Sequence, residues 1–168
     1  MQNLLSVTDP VAKSHSEKLM HYLREVMAAQ GALNFARFME LVLYAPGLGY
    51  YAAGACKIGK GGDFITAPEL SAVFSCCVAQ QCAQIIHNLA NADILELGAG
   101  SGRMALDILM QLEHLNALPQ HYFILELSPD LQERQQQLFQ QQAPRFLNRV
   151  QWLNTLPKIK GIILANEV

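Results

Sequence analysis

The chain has 168 residues, enough for one domain or one domain with an appendage, and its 51% hydrophobic and 15% charged content excludes a disordered polypeptide. A formal net charge of −2 with no basic run argues against a nucleic-acid-binding surface. No apolar run reaches membrane length, and the first 19 residues, with two lysines, no arginine and an aspartate, read as neither a signal nor a transit peptide.

Residues 1–14 read as a loose polar arm. Ser16 to Gln30 has helical spacing, with Leu19, Leu23, Val26 and Met27 on one face and Gly31 as its stop. Asn34 is the expected N-cap of a second helix from Phe35 to about Leu43. Pro46, Gly47 and Gly49 end it, and the aromatics Phe35, Phe38, Tyr44, Tyr50 and Tyr51 either pack as core or line a pocket. Residues 57–69 follow as a glycine-rich loop (Gly59, Gly61, Gly62), either a linker or a lid on a rigid support. Thr66, Pro68 and Glu69 read as the start of a helix running to about Leu89, with Val73, Phe74, Val78, Cys82, Ile85 and Ile86 facing inward.

Next comes the stretch that organises the chain, from Ala92 to Arg103. Ile94, Leu95 and Leu97 predict a strand covered on both faces. Gly98, Gly100 and Gly102 then make a sharp turn with no Cβ between backbone and ligand. From Met104 the apolar spacing becomes helical, with Leu106, Leu109 and Leu112 on one stripe. A helix N-terminus therefore faces whatever the glycines admit. Gln120–Glu126, Arg149–Leu153 and Gly161–Ala165 read as further strands, with a glutamine-rich helix from Pro129 to about Gln142 between the first two. This alternation predicts an α/β fold with a parallel sheet. Cys56, Cys76, Cys77 and Cys82 contain no C-x-x-C pair and the five histidines show no ligand spacing, so no metal site is expected. The cysteines read instead as small buried hydrophobes in a reducing compartment.

The glycines have G-x-G-x-G spacing, unlike the G-x-G-x-x-G of dinucleotide folds. Glu96-Leu97-Gly98-Ala99-Gly100-Ser101-Gly102 resembles motif I of class I S-adenosylmethionine (SAM) methyltransferases. Three further strings occur in order: Asn34 to Met39, Tyr44 to Tyr51, and Gly62-Asp63-Phe64-Ile65-Thr66-Ala67-Pro68-Glu69. With them the chain from Asn34 to Val168 resembles the SAM-dependent methyltransferases that include the mitochondrial complex I assembly arginine methyltransferase and its MidA relatives. The resemblance implies a helical N-terminal cap over residues 1–90 and a Rossmann-like SAM-binding domain over residues 91–168, with strand order 3-2-1-4. Such a sheet has seven strands, so the chain is expected to be a truncated first half, able to self-associate through the edge of its fourth strand.

The resemblance also implies site residues. Gly98, Gly100 and Gly102 are assigned to backbone contact with the methionine end of SAM, and Glu96 to orienting the loop and the ammonium. Glu126, ending the second strand, suits the ribose hydroxyls. Gly62, Asp63, Thr66 and Glu69 are candidates to close over the cofactor, Asn154 to meet the adenine, and Arg103 to reach the carboxylate or the cap or remain solvated. Asn166 and Glu167 are the catalytic candidates, because a carboxylate there suits a guanidinium acceptor. The implied activity is protein-arginine methylation with a protein substrate, in the bacterial cytoplasm. A small-molecule methyltransferase and a non-catalytic SAM-binding assembly protein are the alternatives.

Overall fold

The computed structural model describes residues 10–53 and 66–167 and divides into two compact units between residues 54 and 55. The first contains helices α1 (Pro10–Gln30) and α2 (Phe35–Tyr44). Helix α1 begins six residues before the expected Ser16, and its half-buried stripe is His15, Leu19, Tyr22, Leu23 and Val26. Met27, expected on that face, is exposed. Asn34 caps α2 as expected, accepting the Arg37 N–H at 2.8 Å. The turn after α2 folds back on it through Tyr50 N–H to Val42 O and Tyr51 N–H to Leu43 O, both 2.8 Å. His15 Nε2 reaches Leu48 O of that turn at 2.8 Å. The aromatics do not form a core. Phe35 is 75% exposed, while Tyr51 stacks on Tyr44 and meets Tyr50 edge-on.

The second unit contains α3 (Ala67–Leu70), α4 (Ala72–Asn88), β1 (Asp93–Leu97), α5 (Arg103–His114), β2 (Tyr122–Leu125), α6 (Pro129–Gln142), a 3-10 turn at Pro144–Phe146, β3 (Val150–Leu153) and β4 (Gly161–Ala165). The single helix expected from Glu69 to Leu89 is two. Ser71 is extended (φ −165°, ψ 158°) and its hydroxyl accepts the Val73 N–H, so it starts a new helix instead of continuing the old one. The buried face of α4 is Ser75, Ala79, Cys82 and Ala83. These small side chains let α4 lie close along α5, in the same compact unit as the sheet rather than with α1 and α2. Phe74, Val78 and Ile86 pack at the margin of that core, but Val73 and Ile85 point to solvent, and of the cysteines expected to be buried Cys77 is exposed, because it lies on the side of α4 opposite Ser75 and Ala79.

The sheet is wholly parallel with order β3-β2-β1-β4, as expected. Its register places Ile94, Tyr122, Val150 and Ile162 in one row and Glu96, Ile124, Trp152 and Leu164 in the next. Both rows share a face with the core built by α4, α5 and α6. Helix α5 is buried from Met104 to Leu109 and at Leu112, so it crosses the middle of that face. Pairing β4 to β1 requires Gly161, because a Cβ there would lie 1.9 Å from Asp93 O.

Candidate cofactor-binding site

All four strands end on the same side, and their next residues are Gly98, Glu126, Asn154 and Asn166. The order reverses between β1 and β4, which places the switch point of the sheet beside Gly98. The turn from β1 to α5 is left-handed at all three glycines, with φ of 61° at Gly98, 56° at Gly100 and 81° at Gly102. L-residues rarely adopt that region, which accounts for glycine at each position. Gly98 N–H bonds Leu125 O at 2.9 Å and Gly102 N–H bonds Ala99 O at 2.8 Å, so the turn is tied to β2 and to itself. Gly102 has a second reason. A Cβ there would lie 3.0 Å from Gln135 Cγ.

Glu126 is 5% exposed. Its Oε1 accepts the Ser128 N–H at 3.0 Å and its Oε2 accepts from Gln135 Nε2 at 3.3 Å. Burial pushes its carboxyl upward, while the Ser128 N–H, the Gln135 amide and the Leu127 and Gly100 N–H groups favour the ionised form. It is therefore a buried acceptor whose surroundings are arranged for a carboxylate, beside the glycine turn. That donor and acceptor set fits a ligand carrying vicinal hydroxyls.

Glu96 is 2% exposed and lies on the helix-covered face. Tyr122 donates its hydroxyl to Glu96 Oε2 at 2.6 Å. Burial raises the Glu96 carboxyl to about 7, against the pull of the Tyr122 hydrogen bond, and the Glu126 charge raises it further. Burial and the Glu96 charge together hold Tyr122 far above the ordinary phenol range, so it remains a donor. Glu96 thus meets Tyr122 inside the core rather than standing as a solvated acid at the strand end.

Glu69 on α3 accepts a short hydrogen bond from Ser101 Oγ, which brings the residues after the glycine-rich segment onto the central turn. Thr66 is the half-buried N-cap of α3 and makes no side-chain capping bond. Gly62 and Asp63 lie outside the described residues. Arg103 is held by Asp107 Oδ2 at 3.0 Å and Gln142 Oε1 at 3.3 Å. Asn154 is exposed, and its Oδ1 accepts from Gln132 Nε2 at 3.3 Å. Asn166 is half-buried just past β4, and Glu167 is exposed with φ 56°. Among the described residues no group of His, Cys, Asp and Glu is placed to hold a metal ion, and no described helix is long and apolar enough to cross a membrane.

Sequence reasoning missed Tyr122, Ser101, Gln135 and Trp152. Tyr122 sat unremarked in an apolar strand. Gln135 precedes Phe139 by four residues and so shares its helical stripe, the one signal that could have separated it from its neighbouring glutamines.

A parallel sheet with a left-handed glycine turn and a buried acid at adjacent strand ends, beside the switch point, defines an α/β protein of the doubly wound class, in which ligands sit outside the carboxyl ends of the strands. The chain belongs to the family described as "Putative S-adenosyl-L-methionine-dependent methyltransferase", whose model matches residues 77–168. A crystal structure from Burkholderia thailandensis, of a candidate methyl transferase bound to S-adenosyl-homocysteine, is 41% identical with a TM-score of 0.84, over 98% of this chain and 44% of that one. Among curated relatives, the mitochondrial protein arginine methyltransferase NDUFAF7 of Danio rerio is 29% identical over 74% of this chain and 31% of its own length. The Drosophila melanogaster homologue is 31% identical over 76% of this chain and 30% of its own. The chain therefore spans about 30% of the length of these two curated relatives.

Proposed function

We propose that this protein is a SAM-dependent methyltransferase acting on arginine side chains of a protein, in the bacterial cytoplasm. The observation that carries the cofactor assignment is the pairing of the left-handed glycine turn with buried Glu126 one strand away. The arginine acceptor rests on the names of the relatives.

In this reading Gly98, Gly100 and Gly102 leave room for the methionine end of the cofactor against the backbone at the start of α5. Glu126 accepts the two ribose hydroxyls, with the Ser128 N–H and the Gln135 amide holding its carboxylate in place. Thr66 and Glu69 close over the cofactor, and the Ser101 hydroxyl is the latch between α3 and the turn. Glu96 orients the strand end and the cofactor ammonium. Asn154 stands at the adenine.

Bound SAM supplies a methyl group that its sulfonium already makes electrophilic, so the protein's work is positioning and electrostatics. Asn166 and Glu167 at the end of β4 face the acceptor. The Glu167 carboxylate holds the guanidinium, orients one of its nitrogens and steadies the charge as it redistributes.

Calorimetric titration with S-adenosyl-homocysteine tests the cofactor assignment. Glu126→Ala should weaken binding by about 1–3 kcal/mol, the scale for leaving buried polar partners unmatched. A parent that does not bind, or a variant within two-fold of the parent, overturns it. Methyl transfer from labelled SAM to lysate proteins, read at arginine after hydrolysis, tests the acceptor. Label recovered only in small molecules would favour a small-molecule methyltransferase.

A further inference from the structure

Helix α6 carries seven glutamines, and Gln135 is the one that is fully buried. A buried primary amide is costly unless each of its groups is bonded. Here they are. The Oε1 atom accepts from Trp152 Nε1 at 2.8 Å. The Nε2 atom donates to Gly100 O at 2.9 Å and to Glu126 Oε2 at 3.3 Å. The indole can only donate, and the carbonyl of Gly100 can only accept, so the amide has one sensible orientation. The turn is shaped to admit this side chain, since a Cβ on Gly102 would press on Gln135 Cγ at 3.0 Å. One residue of α6 thereby touches the loop after β1, the acid after β2 and the tryptophan of β3.

On the SAM-binding reading above, we infer that Gln135 is a positioning residue of the cofactor site. It fixes the span between the glycine turn and Glu126 by holding both from one amide, with Trp152 as its anchor. The methionine end and the ribose of one ligand would sit on those two groups, so an error in their separation lowers affinity without removing any contact residue. A leucine or methionine would fill the same space at lower desolvation cost, and neither could hold two acceptors.

The test is S-adenosyl-homocysteine affinity by calorimetry together with the emission of Trp152, the single tryptophan of the chain. Gln135→Met should weaken binding ten-fold or more and shift Trp152 emission, because the indole loses its acceptor. Gln135→Glu keeps the shape and an acceptor for Trp152, so its resting emission should match the parent. It lacks the amide donors and sets a carboxylate against Glu126, so its affinity should also fall ten-fold or more. In a Glu126→Ala background, Gln135→Met should cost less than two-fold further, because the residue it positions is gone. Gln135→Glu decides the matter if Gln135→Met does not fold. Either variant binding within two-fold of the parent, or full additivity with Glu126→Ala, overturns the inference while leaving the cofactor assignment standing. A parent that binds no S-adenosyl-homocysteine overturns both.

Discussion

Replacing Glu96 by glutamine should change the pH dependence of stability in a direction opposite to that of most carboxylates. The Glu96 carboxyl is raised from 4.5 to about 7 by burial. Between those values the folded protein holds a proton that the unfolded chain has released. Stability therefore falls as pH rises from 4.5 to about 7 and is level above that, as far as this group is concerned. At 1.36 kcal/mol per pH unit the full loss is about 3 kcal/mol. Glu96→Gln keeps the size and still accepts from the Tyr122 hydroxyl, yet has no proton to lose. Urea unfolding at pH 5 and pH 8 measures the difference. Relative to the parent, the variant should gain about 3 kcal/mol on going from the lower to the higher pH, a midpoint change of about 1–3 M urea. Groups common to both proteins cancel in that comparison. Parallel pH profiles would show that Glu96 is solvated or that its charge is already compensated, and the buried Glu96–Tyr122 pair would have to be abandoned.

Further outcomes follow from single contacts. Gly102→Ala combines a left-handed φ of 81° with a 3.0 Å approach to Gln135, and should cost about 1–2 kcal/mol, lowering the thermal midpoint by about 5 °C; an unchanged midpoint would mean the turn relaxes freely. Strand β4 pairs on one side with β1, and its Ile163 is 62% exposed on the face away from α5. We expect this 168-residue chain to self-associate through that edge and face, and Ile163→Lys to lower the mass seen by light scattering; a monodisperse parent monomer refutes this.

Most of what is local in this protein was legible in its sequence. The strand at residues 93–97, the glycine turn and the helix after it were written in an apolar run, alternate glycines and a change of period, all set by backbone sterics and by burial of one face. The Asn34 cap and the α6 helix were legible for the same reason, since the groups that decide them lie within a few residues. The strand order came from resemblance and was met by the structure. Local signals gave no warning that Ser71 breaks the helix before α4, because its hydroxyl competes for a backbone N–H that a continuous helix would also use. Nor did they show that Val73 and Ile85 face water while Ser75 and Ala79 face α5, a choice made by how closely two helices approach. The site divides the same way. Glu96, Glu126 and the glycines were found as strand ends, but Tyr122 as the donor to Glu96, and Gln135 as the one buried glutamine of seven, were decided by tertiary structure. A polar side chain becomes part of a site only when partners from other elements arrive to satisfy it, and those of Gln135 lie up to 35 residues away in the chain.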